Sequence, residues 1–367
     1  MSVNRMIKVG ITQGDINGVG YEVILKTLAD ARFVELCTPV VYGSAKVAAY
    51  HRKALEMEPV NFNIVTNATQ VVDGQNNLIN CIDEDVKVEI GHVTEQVGAA
   101  AYAALQRAVD DLAEGLIDVL VTAPINKQTM QSPEFNFPGH TEYLQERLGD
   151  EGDKALMILL NDTLRVALVT GHMPIAQVPA ALSQELIVEK LQIFDEALRH
   201  DFGVRKPRIA VLSLNPHAGE NGLLGAEESD IIVPAIAEAK KNGTLCFGPY
   251  AADGFFGTEH FRKFDGVLAM YHDQGLAPFK ALAMENGVNY TAGLPYVRTS
   301  PDHGTAYDIA GKGIASEESF RQAIYTALDV FRNRISDDEA HASPLRRQYV
   351  DKSGDREVLD LTADDEQ

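Results

Sequence analysis

Short apolar runs that end in Gly- or Pro-containing turns, each followed by a helical stretch, constrain the fold of this chain most strongly. Five such runs occupy residues 7–12, 119–122, 164–170, 209–214 and 266–270. Runs of this kind, alternating with helical periods, are typical of buried strands in a parallel sheet. Apolar residues at three- and four-residue spacing predict covering helices over 98–113, 183–198 and 319–334. The pattern therefore predicts an α/β fold with a largely parallel sheet.

Charge restricts the partners that the chain can bind. Asp and Glu total 53 against 32 Lys and Arg, which gives a formal charge of −21 over 367 residues. Nucleic acid and anionic membranes repel such a chain, so we expect neither as a partner. An anionic substrate would need a local basic site. The length corresponds to about two domains, and since no composition shift marks a linker, we expect two subdomains that share or abut one sheet.

Cysteine usage and the N-terminal sequence indicate the compartment. Cys37, Cys81 and Cys246 are far apart and form neither a disulfide framework nor a CxxC metal motif, which is typical of a reducing compartment. The N-terminal MSVNRMIKVG lacks the apolar stretch of a signal peptide, and no segment approaches about 18 uncharged apolar residues. We therefore expect a cytoplasmic protein. From about residue 336, the charge-rich sequence predicts a loosely held tail, with or without a short final helix.

Three histidines follow directly on apolar runs. His172, His217 and His272 end the segments VALVTGH, AVLSLNPH and GVLAMYH. In open parallel sheets the ligand crevice lies beyond the carboxyl ends of the strands, where these imidazoles could converge. Three protein ligands with an open fourth position are typical of a catalytic divalent metal, and imidazole suits zinc, cobalt, nickel or iron(II). The alternative is that each histidine caps a strand or satisfies a buried carbonyl.

A second group of residues predicts an anion site. His140 and Thr141 precede a predicted helix in PGHTEYL, where a hydroxyl and free backbone N–H groups could hold an anion. Lys280 lies in QGLAPFK and Arg298 in the Gly- and Pro-rich loop GLPYVRTSPDHG. Beside the histidines, this Lys and Arg would form a positive pocket for phosphate or carboxylate. The alternatives are a plain helix cap and a solvated surface pair.

Several enzyme classes lose support because their motifs are absent. The opening loop GDINGVG is not a G-x-G-x-x-G dinucleotide fingerprint, and we interpret its glycines as a tight turn with positive φ. The chain contains no GxxxxGK[ST], no GxSxG and no HExxH. These absences disfavour a phosphate-loop ATPase, an α/β-hydrolase and a zincin.

Seven motifs occur in order between residues 14 and 313: GDINGVGYE, VTAPINK, FPGHTEYL, TGHMP, LNPHAGENGLLGAEE, YHDQGLAPFK and RTSPDHGTAYDIAGKG. Together they resemble the 4-hydroxythreonine-4-phosphate dehydrogenase family of pyridoxal phosphate biosynthesis. The last motif also resembles the adenosine loop of isopropylmalate and isocitrate dehydrogenases. The resemblance implies their fold, with two α/β/α subdomains around a largely parallel mixed sheet and the active-site cleft between them. It divides the chain approximately into an NAD-binding subdomain, residues 1–125 with 280–367, and a metal-binding and dimerisation subdomain, residues 126–279.

The resemblance also implies the ligands of the site. It implies a homodimer whose active site is completed at the subunit interface, and NAD as oxidant. A divalent metal (zinc, magnesium or cobalt) would be held by His172, His217 and His272. A small phosphorylated hydroxy acid would contact His140, Thr141, Lys280, Asn289 and Arg298. The cofactor would lie near Asp302, His303, Gly304, Thr305, Ala306 and Asp308.

We assign catalysis to Lys280 and to Asp253 in the segment AADGFF. Asp253 would act as an acid/base or would orient a metal ligand, although a helix cap explains it equally well. Asp273, next to His272, is a weaker alternative.

The chain departs from the family pattern in two turns. The first motif usually reads GDPAGIGPE, whereas here Ile16, Asn17 and Tyr21 replace Pro, Ala and Pro. Asn221 stands where Gly usually follows NPHAGE. None of these positions is a proposed ligand, so the departures bear on substrate choice more than on reaction type.

The implied reaction is oxidation of 4-phosphohydroxy-L-threonine by NAD, then decarboxylation to 3-amino-2-oxopropyl phosphate. A metal held by three neutral imidazoles would lower the pKa of the substrate hydroxyl, and a general base would remove its proton. Three alternatives stay open. The substrate could be threonate or erythronate 4-phosphate. The three histidines could serve a hydrolase that is active without NAD, or the chain could be a non-catalytic binding protein for a phosphorylated ligand.

Overall fold

Twelve strands form one continuous sheet in the computed structural model, which describes residues 5–83, 85–283 and 285–342. In chain order they are β1 (Lys8–Thr12), β2 (Thr38–Gly43), β3 (Asn63–Val65), β4 (Asn77–Asn80), β5 (Val119–Thr122), β6 (Leu156–Leu160), β7 (Arg165–Leu168), β8 (Ile209–Leu212), β9 (Cys246–Tyr250), β10 (Gly266–Ala269), β11 (Val288–Ala292) and β12 (Arg298–Pro301). Their spatial order is β3-β4-β2-β1-β5-β12-β11-β6-β7-β10-β8-β9.

The direction of the strands reverses in the middle of the sheet. Neighbours run parallel except for the pairs β12–β11, β11–β6 and β6–β7, which are antiparallel. The block from β3 to β12 and the block from β7 to β9 therefore point in opposite directions. Because of this reversal, the strands of one block have their carboxyl ends on the side of the sheet where the strands of the other block have their amino ends. The predicted α/β fold with a largely parallel mixed sheet is confirmed.

Helices pack on both faces of this sheet. In chain order they are α1 (Gly20–Leu28), α2 (Phe33–Leu36), α3 (Ala45–Ala54), α4 (Glu95–Ala113), α5 (Lys127–Met130), α6 (His140–Leu148), α7 (Val178–Ala181), α8 (Gln184–His200), α9 (Val233–Lys241), α10 (Ala252–Gly257), α11 (His272–Leu282) and α12 (Glu318–Ala342). One core contains the apolar faces of α1, α8 and α12, and a second contains those of α4 and α6. Among the described residues, no helix is long and apolar enough to span a bilayer.

The elements expected from the sequence are present, with small shifts at their ends. The five apolar runs are β1, β5, β7, β8 and β10, and the three predicted helices are α4, α8 and α12. Residues 336–342 correct the prediction of a tail, because α12 continues through them. His200 at the end of α8 contacts the carboxylates of Asp337 and Asp338, which holds this last part of α12. The rest of the expected tail, residues 343–367, lies outside the described residues.

The sheet runs without a break through the subdomain boundaries expected from the sequence. Strands from residues 8–122 adjoin β12, and strands from 156–269 adjoin one another. The pair β11–β6 joins the two sets, with Asn289 opposite Leu159. The division into residues 1–125 with 280–367, and 126–279, stays a prediction.

Candidate active site

A cleft of about 530 Å³ opens over the centre of the sheet, where the strand direction reverses. Ser300, Asn289 and Leu159 are directly paired across β12, β11 and β6, so their side chains project from one face. All three line the cleft, together with Arg298 and Thr122. The face of the central strands therefore forms the floor of the cleft, and the loops that follow neighbouring strands form its walls.

The cleft is the local basic site that an anionic substrate would require. Its lining holds four cations, Lys127, Lys190, Lys280 and Arg298, and four imidazoles, those of His140, His172, His272 and His303. Its acidic lining residues are Glu142 and Asp302. In a chain with a formal charge of −21, this concentration of positive charge favours an anion within the cleft.

Arg298 is a buried cation that contacts only neutral side chains. Its side chain is 4% exposed, and burial lowers its pKa to about 10. Nε and Nη2 donate to Oγ1 of Thr122 at 3.1 and 2.6 Å, and Nη1 donates to Oγ1 of Thr291 at 3.4 Å. Nη2 also donates to Nδ1 of His140 at 3.0 Å. Within the described part of the chain no carboxylate pairs with Arg298, so a bound anion would supply the missing charge.

The sequence interpretation of Arg298 needs one correction. We expected it in a Gly- and Pro-rich loop, whereas it is the first residue of β12, in register with Leu120 of β5. This register places its side chain on the floor of the cleft, within reach of Thr122 at the end of β5. The strand is short and begins directly after a turn, which is why the local sequence resembles a loop.

His140 and Thr141 open α6 beside Arg298. The bond that His140 Nδ1 accepts from Arg298 leaves the imidazole proton on Nε2, and this buried atom has no partner among the described residues. Burial, then the charges of Arg298 and Lys127, keep the pKa of His140 well below its usual range. The ring is therefore neutral and keeps an N–H free. Thr141 lines the cleft, and so does Asn289, whose Oδ1 also lacks a partner.

His172 and His272 face each other at the opposite wall. They follow the neighbouring parallel strands β7 and β10, and their ring centroids are 5.4 Å apart. Burial, then Lys127 and His272, lower the pKa of His172, which favours the neutral form that binds metals. Nδ1 of His272 donates to Oδ1 of Asp273 at 2.7 Å. This bond orients the ring and leaves Nε2 available as a ligand.

His217 does not join the imidazole pair within one chain. It follows β8, the neighbour of β10, but it lies in the turn Pro216–Gly222 and does not line the cleft. Across residues 5–342, apart from 84 and 284, no three His, Cys, Asp or Glu side chains are grouped to hold a metal ion. The structure thus brings together two of the three expected ligands.

The turn that carries His217 has an unusual backbone. Residues 217–221 all have positive φ, including Asn221 at 56°. Asn tolerates this left-handed region better than most residues, which explains how it replaces the glycine usual in the family. The buried carboxylate of Glu228 accepts hydrogen bonds from the N–H groups of Leu214 and Asn215 at 2.8 and 2.7 Å. These bonds fix the start of the turn.

Lys280 and the loop 302–308 close the remaining side of the cleft. Nζ of Lys280 on α11 lies 3.3 Å from Oδ1 of Asp302. Burial raises the pKa of Asp302, although Lys280 opposes this effect. Asp302, His303 and Gly304 line the cleft, whereas Thr305, Ala306 and the exposed Asp308 do not. The expected cofactor loop therefore begins in the cleft and leads away from it.

The opening loop GDINGVG supports this cofactor loop from behind. A Cβ on Gly18 would lie 2.6 Å from the carbonyl oxygen of Thr305, which accepts a hydrogen bond from Val19 N–H at 3.0 Å. Asp15 Oδ2 accepts a bond from the Tyr307 hydroxyl at 2.6 Å. Of the three glycines only Gly14 has the expected positive φ, at +67°. Close packing, rather than φ, requires Gly18.

The departures Ile16, Asn17 and Tyr21 lie behind the cleft. The Tyr21 hydroxyl donates to Gln13 Oε1 at 2.8 Å, and Ile16 is fully buried. Asn17 Nδ2 donates to the carbonyl of His92 at 2.8 Å. None of the three side chains lines the cleft, so these departures alter packing and leave the cleft lining unchanged.

Comparison with known proteins agrees with the motifs. The family described as pyridoxal phosphate biosynthetic protein PdxA matches residues 35–327. The chain belongs to this family. A 4-hydroxythreonine-4-phosphate dehydrogenase of Bacteroides thetaiotaomicron is 62% identical over 360 residues, 98% of each chain. A relative from Oceanobacillus iheyensis, provisionally named D-threonate 4-phosphate dehydrogenase, is 41% identical and covers 88% of this chain and 97% of its own.

A solved PdxA-family structure has the same fold. The crystal structure of 4-hydroxythreonine-4-phosphate dehydrogenase from Klebsiella pneumoniae matches with a TM-score of 0.76 at 35% identity. The match covers 89% of this chain and all of that one. The predicted dehydrogenase family is thereby confirmed, and a hydrolase or a non-catalytic binding protein is not supported.

Asp253 lies outside the cleft that the PdxA-family chain forms by itself. It is an exposed residue in the first turn of α10, and its Oδ1 accepts a bond from the N–H of Gly254 at 2.7 Å. Its catalytic role stays a prediction. Asp273 is also exposed, and its contact with His272 makes it an orienting residue.

The sequence interpretation missed several polar lining residues, among them Thr122, Lys127, Glu142, Lys190 and Ser300. Thr122 and Lys127 stand at and just beyond the end of β5, in the PdxA-family motif VTAPINK. Extending the strand-end rule from histidines to all polar residues would have found both. Lys190 gives no such signal, because it lies inside the amphipathic helix α8.

Proposed function

We propose that this chain catalyses NAD- and metal-dependent oxidation of 4-phosphohydroxy-L-threonine, followed by decarboxylation to 3-amino-2-oxopropyl phosphate, in pyridoxal 5'-phosphate (vitamin B6) biosynthesis. The observation that carries the proposal is Arg298, a buried cation without an acidic partner, hydrogen-bonded to a neutral His140 in the cleft. The 62% identical relative bears the name of this enzyme. Neither nucleic acid nor a membrane is part of the proposal.

The phosphate of the substrate binds at the deep end of the cleft. Arg298 provides its buried positive charge, and His140 and Thr141 add donors at the start of α6. Asn289 and Lys280 line the space beside them and complete the substrate contacts. This set of donors matches the three acceptor oxygens of a phosphate monoester.

His172 and His272 hold a divalent cation such as zinc, magnesium or cobalt. Their facing rings suit this role, as does the lowered pKa of His172, and His217 of a second copy supplies the third imidazole. When bound, the ion supplies positive charge that lowers the pKa of a substrate hydroxyl. The active site is therefore completed at the interface of a homodimer, which accounts for the position of His217 outside its own cleft.

The loop 302–308 borders NAD on its adenosine side, through Asp302, His303, Gly304, Thr305, Ala306 and Asp308. Lys280, held by Asp302, moves the proton at the reacting hydroxyl. In the homodimer, Asp253 on α10 of the second copy acts at the cleft as an acid/base or orients a metal ligand. NAD, when bound, would accept the hydride of the carbinol carbon. The hydroxyl proton would pass to Lys280 as its ammonium gives a proton to Asp302. The carboxylate then leaves as carbon dioxide. The electron pair of the broken carbon–carbon bond stays on the adjacent carbon, which takes up a proton.

The test is NADH formation by the purified protein with NAD and 4-phosphohydroxy-L-threonine, with and without a chelator. D-Threonate and D-erythronate 4-phosphates serve as competing substrates, since one relative bears the name of the threonate enzyme. We expect chelator-sensitive turnover of the threonine compound. Turnover of a sugar-acid phosphate alone would retain the site and change the pathway. No turnover of any of the three would contradict the dehydrogenase reaction itself.

A further inference from the structure

The four cations of the cleft differ in whether they already have a partner. Arg298 contacts Thr122, Thr291 and His140, and Lys280 pairs with Asp302. Lys190 donates to the carbonyl of Ala155 at 3.4 Å and lies near Glu189. For Lys127, the described part of the chain provides neither a hydrogen bond nor an ion pair to its ammonium. It is therefore the cation most available to a ligand.

The backbone of Lys127 is held firmly although its side chain is exposed. Asn126 precedes it as the cap of α5, and its Oδ1 accepts bonds from the N–H groups of Gln128 and Thr129 at 2.9 and 3.3 Å. Nδ2 of Asn126 donates to the Tyr307 hydroxyl at 3.1 Å, which ties this turn to the cofactor loop. The backbone from which the Lys127 side chain projects is thus fixed by bonds to α5 and to the cofactor loop.

The ammonium of Lys127 lies beside the turn that leads to His140, and its charge acts on both the anion site and the imidazole pair. A Cβ placed on Gly139 would be 3.5 Å from Cε and 3.7 Å from Nζ of Lys127. The end of the Lys127 side chain therefore lies over the turn before α6. The charge of Lys127 lowers the pKa of both His140 and His172. These two rings belong to opposite ends of the site, and Lys127 is within electrostatic reach of each.

The proposed substrate has an anion at each end of a four-carbon chain. The phosphate matches the several donors around Arg298 and His140. Because Lys280 and Lys190 already have partners, neither is a free cation for the carboxylate. We infer that Lys127 is a substrate-binding residue whose ammonium pairs with the substrate carboxylate. The inference rests on the proposed function and adds a requirement to it, namely that the site selects short acids with a charged group at both ends.

This pairing has a consequence for turnover. The carboxylate leaves as carbon dioxide, so the product offers no anion to Lys127 and loses one of its two charged contacts. Substrate is therefore held more tightly than product by this residue, which favours product release. Lys127 accordingly affects substrate affinity and KM more than kcat.

The test compares two ligands by calorimetry, on the purified protein with zinc present and NAD absent. One ligand is 4-phosphohydroxy-L-threonine, and the other is 3-amino-2-hydroxypropyl phosphate, which lacks only the carboxylate. In Lys127→Met we expect the affinity for the first ligand to fall at least about tenfold, because a charge-assisted bond is lost. The affinity for the second stays within about twofold of wild type. Lys127→Arg retains most of the affinity for both ligands, and Lys53→Met on α3 serves as the matched control.

The outcomes separate the inference from the proposed function. Unchanged affinity of Lys127→Met for the complete substrate, or an equal loss for both ligands, overturns the pairing with the carboxylate while wild-type turnover stands. A wild-type protein that neither binds nor oxidises 4-phosphohydroxy-L-threonine overturns the proposed function, and the inference with it. Thermal unfolding of each variant verifies that the fold is intact.

Discussion

Arg298 and His140 are joined by one hydrogen bond, from Nη2 to Nδ1 over 3.0 Å, although 158 residues separate them in the chain. The bond fixes the tautomer of a neutral imidazole and directs a buried guanidinium into the cleft. Because neither partner is an anion, the pair is complete only when a ligand brings one. This relationship leads to the first prediction.

Arg298→Lys should raise the KM for the phosphorylated substrate at least about tenfold, because an ammonium cannot replace a guanidinium that is held by Thr122, Thr291 and His140 at once. It should change kcat less, since the contact is made in the ground state as well. Steady-state kinetics of NADH formation measure both values. Arg205→Lys, at an exposed position outside the cleft, is the control. Wild-type kinetics in Arg298→Lys would show that Arg298 does not anchor the substrate.

The position of His217 predicts complementation between two inactive variants. His172→Ala and His217→Ala should each lose most bound metal and most activity, since each breaks both sites of the proposed dimer. Co-expressed together, they should recover roughly a quarter of wild-type activity, because half of the dimers are mixed and each mixed dimer has one intact site. Metal content and activity of the co-expressed mixture provide the measurement, and the mixed dimer isolated through two different tags should show about half of wild-type activity. If mixing restores nothing, His217 serves a site in its own chain or no metal site at all.

Gly18→Ala should disturb the cofactor loop without touching the substrate site. The added methyl would lie 2.6 Å from the Thr305 carbonyl oxygen, which must move. We expect the KM for NAD to rise and the free energy of unfolding to fall by about 1–3 kcal/mol. Kinetics and urea unfolding check the two effects. Gly257→Ala on α10 is the matched control, because open space surrounds that position; equal behaviour of the two variants would refute the packing argument.

His51 predicts part of the acid sensitivity of the fold. Its Nε2–H donates to the Ile16 carbonyl at 2.7 Å, and burial lowers the pKa of the ring from the ordinary 6.5. Below pH 6.5 the unfolded chain takes up a proton that the native ring resists, so the free energy of unfolding falls with decreasing pH. The slope from one group is at most about 1.4 kcal/mol per pH unit.

The variant His51→Gln isolates this contribution, because it keeps a donor for Ile16 and removes the titration. Urea unfolding at a series of pH values between 7 and the acid limit of the native state should give a shallower pH dependence than in wild type. Parallel curves for the two proteins would show that His51 does not contribute and that other titratable groups, such as the buried Asp201, cause the acid sensitivity.

Five of the twelve strands were predictable, namely those whose apolar run ends directly in a Gly- or Pro-containing turn. The run 119–122 is uniformly apolar and buried, and it is β5 in the structure. β12 escaped prediction because its residues are polar and its pairing with β5 bridges a large sequence separation. The reversal of strand direction also escaped prediction, since it depends on which strands become neighbours and on nothing local to any of them.

The residues of the site that follow directly on strands were predictable, and those on the face of the sheet were not. His172 and His272 follow parallel neighbours, so the rule for carboxyl ends brings them together. The same rule fails for His217, because it lies beyond the end of β8 as the first residue of a turn of left-handed residues. Arg298 and Asn289 act from the face of the sheet, which only the register of three strands defines. The family motifs predicted these residues, and the structure places them together in one cleft.

The contact between Arg298 and Thr122 joins residues that are 176 positions apart. During synthesis the first five strands leave the ribosome long before β12. The edge of β5 that pairs with β12 therefore has no partner through most of translation. The anion pocket is therefore among the last features that the chain can complete, and a chain stopped before residue 298 has none. For this protein, the ability to bind a phosphorylated acid reports that nearly the whole polypeptide has been made and folded.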